Sequence, residues 1–481
     1  MTFLKTHLLF ILLFITTTLI GLSFVFSLPL YQGPDEQIHY ATIQYHTEPK
    51  EKTWATQERD NRSPKVIRDF HLSEEVIVAG EVTQFDQIKW QDENTAFFTP
   101  GQTGINEELL QNTKLKRYID TYPINTSSNT SFYYSFSSAL EKLLMHQNIL
   151  ERFFALRIFS LLLYLVTIYI VYRIAGHIFP TPLLRILFTA TVALQPMLIT
   201  TGAIVNIDIA LILGTTLFFL GAVSLLLSPS WRSHLLIILG LILAFWGKAS
   251  GIAFIPVAIL LYLFFFQERF FLPLKKILLL LGSGILLAIP LGYALIPQSV
   301  LTTFLNLGTS SKFPSLFSSL TTYLDKTLRF DTFLRTYTSY WGNFGWLDTT
   351  IHEPVIWLIF LIELTGFIGA LVYLISGNTK SHLPHKKILV LSWITLLFLQ
   401  LAIRFYDWRV FDTVGQVVIG APGRYFLPTL VPHILITVTG LGYLLTKNRF
   451  QFTLLLKALS LGMLILTLYS LFTIVIPRYY L

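Results

Sequence analysis

Apolar runs of roughly 18 or more residues recur from one end of this 481-residue chain to the other, and each is long enough to cross a hydrocarbon core of about 30 Å. Within lipid every backbone polar group must find a partner inside the protein, which leaves helices or a closed barrel. The runs are continuous and do not alternate with period two, so a barrel does not fit. Charged residues make up 13% of the chain, against about 25% in soluble domains. The fold class read from the sequence is an all-α polytopic membrane protein.

Eleven spans are expected, near 8–28, 153–176, 183–202, 207–228, 235–247, 251–266, 277–297, 355–376, 388–404, 425–445 and 451–477. Lys5, Arg173, Arg185, Arg232, Lys275, Lys276, Lys380, Lys386, Lys387, Lys447 and Arg449 then fall in alternate connections. The positive-inside rule puts the N-terminus inside and the C-terminus outside. Two short runs flank Gly247-Lys248-Ala249-Ser250, and only an up-and-down pair returns Glu268 and Arg269 to the inside, so Lys248 faces out. The first run lacks a small-x-small cleavage pattern and is read as a retained helix.

The division of the chain follows: a first helix (1–28), a long external loop (29–148), spans two to seven (149–297), a second external segment (298–353) and spans eight to eleven (354–481). The long loop is expected to have mixed structure, with a strand at Glu75–Ala79 and a helix at Glu107–Leu115. A short external loop is expected from Phe405 to Gly423. The formal charge of +8 does not point to nucleic acid, because the basic residues sit in inter-helix loops. The absence of cysteine excludes disulfides, thiolate metal sites and cysteine nucleophiles.

Polar residues at membrane depth are costly, so they are functional candidates. They fall on the external side of this topology. Pro34-Asp35-Glu36-x-x-His39 follows the first span, where Pro29 and Pro34 block helical continuation. Asn206 and Asp208 lie at the third-to-fourth turn and Lys248 at the fifth-to-sixth. Asp348, His352 and Glu353 follow Tyr340-Trp341-Gly342-Asn343-Phe344-Gly345-Trp346-Leu347; Arg404, Asp407, Arg409 and Asp412 follow the ninth span; Arg424 opens the tenth. Each also has a plain structural reading: a solvated loop, a charge on a helix dipole, a snorkelling lysine or a lipid anchor. Together they suggest a carboxylate base, oxygen ligands for a divalent cation and cations for a phosphate. Tyr340, Trp341, Trp346 and Trp408 suit either a sugar face or an interfacial aromatic belt.

These motifs resemble bacterial membrane proteins of domain-of-unknown-function family 2142, which are similar to the GT-C superfamily of polyprenyl-phosphate-sugar glycosyltransferases. The resemblance is carried by Pro34, Asp35, Glu36 and His39, by Asn206-Ile207-Asp208, by Lys248 between two short helices, by Phe344 to Asp348 and by Gly423 to Pro428. The family's Tyr-Pro-Pro-x-x-Tyr stretch is replaced here by Asn129-Thr130-Ser131-Phe132-Tyr133-Tyr134, without its prolines.

The resemblance implies a GT-C-like fold in the bacterial cytoplasmic membrane with its site on the external face. It implies inverting transfer of a sugar from a polyprenyl-phosphate donor to a glycan, lipid or protein acceptor. Asp35 would be the base, supported by Glu36, and Asp208 the second acid. Lys248 and Arg424 would hold the donor phosphate, with His39, Asn206, Trp346 and Asp348 also binding substrate. Asp35 and Glu36 would place Mg or Mn if a divalent cation is used. The alternatives are a transporter or flippase of lipid-linked sugars and a polysaccharide polymerase or ligase.

Overall fold

The computed structural model describes residues 2–47, 74–83, 108, 110–111, 131–265, 313–327, 329–345, 349–376, 380–413 and 421–481. The expected seventh span (277–297), Trp346, Asp348 and most of the Glu107–Leu115 helix lie outside them. The described residues are mostly helical. Among the described residues seven helices are long and apolar enough to cross a membrane, or eight if one bent pair counts as a span.

The first membrane helix, α1 (Thr2–Ser27), stops before Pro29, and α2 (Glu36–Thr47) begins after Pro34. The loop helix α3 (Glu74–Val82) occupies the stretch expected as a strand. Its β-branched residues favour a strand locally, but Glu75, Val76, Ala79, Gly80 and Thr83 are buried together, a helical stripe. Burial of that stripe, with Glu75 ion-paired to Arg152, decides against local propensity. Next come α4 (Phe132–Leu143) and α5 (Ile149–Ile178).

The expected third span is a bent pair, α6 (Pro182–Ala193) and α7 (Pro196–Ala203), broken by 66°. Pro196 removes an amide hydrogen bond and so favours the break. The freed carbonyls are taken up by side chains: Tyr164 donates to Ala193 O at 2.8 Å, and Thr467 donates to Leu194 O. The Gln195 side chain accepts from Leu198 N at 2.6 Å and caps α7. Such internal satisfaction is what a break within lipid requires.

Then follow α8 (Asp208–Leu227), α9 (Trp231–Gly247), a 3-10 turn at Ala249–Ala253 and α10 (Phe254–Leu260). Beyond these are α11 (Phe313–Thr327), α12 (Phe330–Gly342), a two-stranded ribbon of Asn343–Phe344 and Thr349–Thr350, α13 (Glu353–Ile375) and α14 (Lys386–Thr413). The Phe405 stretch expected as loop continues α14 to Thr413. No proline interrupts it, and Arg404–Asp407 (3.9 Å) and Arg409–Asp412 (3.3 Å) pair at helical spacing. The chain ends with a 3-10 segment (Gly423–Thr429), α15 (Leu430–Leu445), α16 (Arg449–Tyr469) and α17 (Ile476–Tyr480).

Burial sorts these helices. The most apolar stretches of α8 and of Gly423–Leu445 are each 89% buried, whereas those of α1 and α13 are 28% buried. Helices α8 and α15 are therefore the interior elements, and α1 and α13 turn broad apolar faces outward. The candidate site is built on the ends of the two interior elements.

Candidate functional site

The Pro29–Glu36 link is fixed by an interior arginine. Arg157, on α5, donates from Nε to Glu36 Oε1 (2.9 Å) and from a terminal nitrogen to Glu36 Oε2 (2.7 Å). Its remaining N–H groups reach the carbonyls of Val25, Leu28 and Pro29. Glu36 also accepts from Gly33 N (2.8 Å) and Val205 N (2.9 Å). A Cβ at Gly33 would lie 2.6 Å from the Glu36 carboxyl carbon, so this close approach needs glycine. A carboxylate offers about four lone-pair positions, and all are engaged. Glu36 is fully buried.

That wrapping forces Asp35 outward. Its φ is 63°, a left-handed conformation, as is that of Tyr31 at 62°. Asp tolerates this region better than most residues, and such held strain clusters at functional sites. Asp35 pairs with Arg424. Arg424 Nε also lies 3.6 Å from Asp208 Oδ2, and Lys248 Nζ lies 2.5 Å from Asp208 Oδ1. Four residues expected from sequence, Asp35, Asp208, Lys248 and Arg424, thus form one ion-paired chain. They come from the link before α2, the start of α8, the end of α9 and the 3-10 entry to α15, so these ends share one face of the bundle.

Each end has a local cause. Asn206 accepts from Asp208 N (2.7 Å) and donates to Pro34 O (3.3 Å), joining the start of α8 to the Asp35 link. Ser131, the N-cap of α4, donates to Gly247 O at 2.7 Å beside Lys248. Gly423 N donates to Ser339 Oγ at 2.5 Å. A Cβ on Gly423 would stand 2.1 Å from Tyr340 N, so glycine lets the segment press against α12. Tyr425 lies between the cations, with Lys248 Nζ 4.3 Å and Arg424 Cζ 5.3 Å from its ring centroid.

Exposure gives the site a direction. The Asp35 and Lys248 side chains are 26% and 29% exposed, whereas Asp208 and Arg424 are 3% and 5% exposed. Asp35 and Lys248 are thus the more exposed members of the ion-paired chain and Asp208 and Arg424 the buried ones. Among the described residues, buried Asp208 Oδ2 and Arg424 Nε have no hydrogen-bond partner. His39 sits one turn along α2 and shares a 2.7 Å hydrogen bond with Tyr134. Burial lowers its pKa from 6.5 to about 4, against the opposing pull of Asp35 and Asp208. Burial raises the Tyr134 hydroxyl above its ordinary range, so Tyr134 donates and neutral His39 Nδ1 accepts.

The Asp35–Glu36 pair does not fit a divalent cation. Glu36 has no open lone-pair position, and Asp35 faces a guanidinium. Among the described residues no cluster of three or more His, Asp or Glu is arranged to hold a metal. Tyr340 and Trp341, which suited either a sugar face or an interfacial aromatic belt, are buried inside the bundle and so serve as neither.

Several interior ionisable residues escaped the sequence reading, Glu141, Arg152 and His382 among them, and three more lie inside the long apolar helices. Arg157 lies within α5, Glu363 near the middle of α13, and His433 in α15. The polar groups are therefore not confined to one membrane face. A lone charge inside an apolar run was the available signal.

Fold and site together define a polytopic helical membrane protein with a buried ion-pair chain where several helix ends meet. The chain belongs to the family described as Predicted membrane protein (DUF2142), whose model matches residues 18–433. No curated protein and no solved structure matches it.

Proposed function

We propose that the chain is a membrane glycosyltransferase of GT-C type, with eleven spans, its N-terminus inside and its site on the outer side of the bacterial cytoplasmic membrane. It transfers a sugar, with inversion, from a polyprenyl phosphate to a glycan, lipid or protein acceptor. The observation that carries this reading is the convergence of two acids and two cations at one mouth, Asp35–Arg424–Asp208–Lys248.

In this reading Lys248 and Arg424 receive the donor phosphate, and Asp208 holds both cations in place. The arriving phosphate competes with Asp35 for Arg424 and frees the Asp35 carboxylate. Asp35 then takes the proton of the acceptor hydroxyl. The acceptor oxygen bonds to the anomeric carbon as the bond to phosphate oxygen breaks, and polyprenyl phosphate leaves. Glu36 and Asn206 position the site, and His39 lines it. Trp346 and Asp348 keep their proposed substrate roles. No step is assigned to a divalent cation.

A flippase of lipid-linked sugars is the second reading, favoured by the Glu363–His433 pair near mid-span, a depth at which transporters place their sites. The test is release of free polyprenyl phosphate from a polyprenyl-phosphate sugar by the protein in liposomes. Release that disappears in Asp35→Asn is expected. Translocation of intact donor without cleavage supports the flippase, and release unchanged in Asp35→Asn removes Asp35 as base.

A further inference from the structure

A second polar cluster lies away from the mouth. Glu363 on α13 and His433 on α15 approach to 2.7 Å, Oε1 to Nε2. Tyr340 meets the other imidazole nitrogen, Nδ1, at 2.6 Å. Tyr337 donates to Glu363 Oε2 at 2.6 Å, and the Trp341 indole N–H reaches the same oxygen at 3.3 Å. Glu363 and His433 are buried. We propose that Glu363 and His433, with Tyr340, form a proton-binding site within the membrane domain.

The cost of charge inside a bilayer supports this assignment. With His433 neutral and Glu363 ionised, the site carries one net negative charge, held among the described residues by the Tyr337 and Trp341 donors on Oε2 with His433 Nε2 facing Oε1. Uptake of one proton, on His433 or on Glu363, brings the pair to zero net charge, which a low-dielectric interior favours over a lone negative charge. Tyr340 can serve both states, because a hydroxyl donates to a bare Nδ1 and accepts from a protonated one. Burial, followed by the Glu363 charge, holds the Tyr340 hydroxyl well above its ordinary range, so it stays protonated.

The titratable groups facing the pair are Tyr337 and Tyr340, both from α12. Helix α13 adds Phe367, whose ring lies 5.3 Å from His433, and α14 adds Trp393 packed on Phe367 at 5.2 Å. Among the described residues no further charged side chain forms an ion pair with Glu363 or His433.

The site also has a route to the mouth. Tyr340 N and Ser339 Oγ press against Gly423, the neighbour of Arg424. Gln195, at the break between α6 and α7, donates to Tyr340 O at 2.7 Å. Tyr340 thus belongs both to this site, through its hydroxyl, and to the turn of α12 that packs against the segment carrying Arg424, through its backbone.

The inference is independent of sugar transfer, and its test needs no substrate. Infrared difference spectra of the full chain in lipid nanodiscs would be recorded between about pH 9 and pH 6, above the range where exposed carboxylates titrate. The wild type should show a pH-dependent carboxylate signal that Glu363→Gln removes. Tyr340→Phe deletes only the hydroxyl and should shift the midpoint of that signal by roughly one pH unit, the scale of one lost hydrogen bond. A Glu363→Gln spectrum that superimposes on wild type overturns the assignment. If Glu363→Gln fails to fold, Tyr340→Phe decides: a shifted midpoint supports the site and an unmoved one overturns it.

Discussion

Glu36 and Arg157 form a two-point ion pair across 121 residues of sequence, and neither side chain is exposed. The pair ties the end of α1 to α5 and turns Asp35 toward the mouth. Removing one partner strands a buried charge, which costs about 3–5 kcal/mol. Arg157→Met alone should therefore lower thermal stability sharply in detergent. The Glu36→Gln/Arg157→Met double variant should lose less than the sum of the two singles. It stays below wild type, because the Val25, Leu28 and Pro29 carbonyls lose their donors. Strict additivity in a double-mutant cycle would contradict the coupling.

Asp35 separates backbone strain from charge. Its φ of 63° suits Asn as well as Asp, so Asp35→Asn should lose only the charge-assisted contact to Arg424, about 1.5–3 kcal/mol, with no added backbone cost. If Asp35 is the base, transfer should fall by about 10²–10⁴-fold. Asp35→Ala adds a backbone cost of roughly 1–2 kcal/mol in the left-handed region, so it should melt earlier than Asp35→Asn. Equal melting temperatures for the two variants would show that the conformation is not held.

The contrast between Asp35 and Arg157 explains what the sequence made legible. Asp35, Asp208, Lys248 and Arg424 each stand at the end of an apolar run, where a topology drawn from length and loop charge places them on one face. Arg157, Glu363 and His433 stand inside such runs. Periodicity there reports only that a helix exists; which neighbour satisfies the charge is a tertiary fact. Glu75–Ala79 failed for a related reason. Its Val and Ile favour a strand, but the partner of Glu75 is Arg152, and nothing local announces that contact. At Leu194–Gln195 the expected span ran unbroken through Pro196, while the observed 66° turn is accommodated by Tyr164 and Thr467 taking the loose carbonyls.

Arg424 touches two acids from different directions, Asp35 through a terminal nitrogen and Asp208 through the Nε side. Lysine keeps the charge but offers one compact point in place of a planar fork. Arg424→Lys should retain the fold and, under the proposed role, offer the donor phosphate one charge-assisted contact fewer, worth about 1.5–3 kcal/mol. That corresponds to a roughly 10- to 150-fold drop in kcat/KM for transfer. Under the proposed role most of the drop lies in KM for the lipid donor. An unchanged KM with reduced kcat would move Arg424 from ground-state phosphate binding to the transition state alone.

His39 gives the pH dependence its sign. Burial lowers its pKa from 6.5 to about 4. Between those values the unfolded chain holds the proton and the folded protein does not. Folding stability therefore declines as pH falls from about 6.5 toward 4, and this contribution levels off below about 4. The contribution is fully present above about 6.5, where both states are neutral. His39→Gln keeps a side chain that can accept from Tyr134 but cannot titrate. Thermal melts of wild type and His39→Gln at pH values stepped through this interval should diverge, with the wild type losing more stability on acidification. Parallel curves would mean that His39 titrates alike in the folded and unfolded chain, and that its bond to Tyr134 does not keep the imidazole neutral.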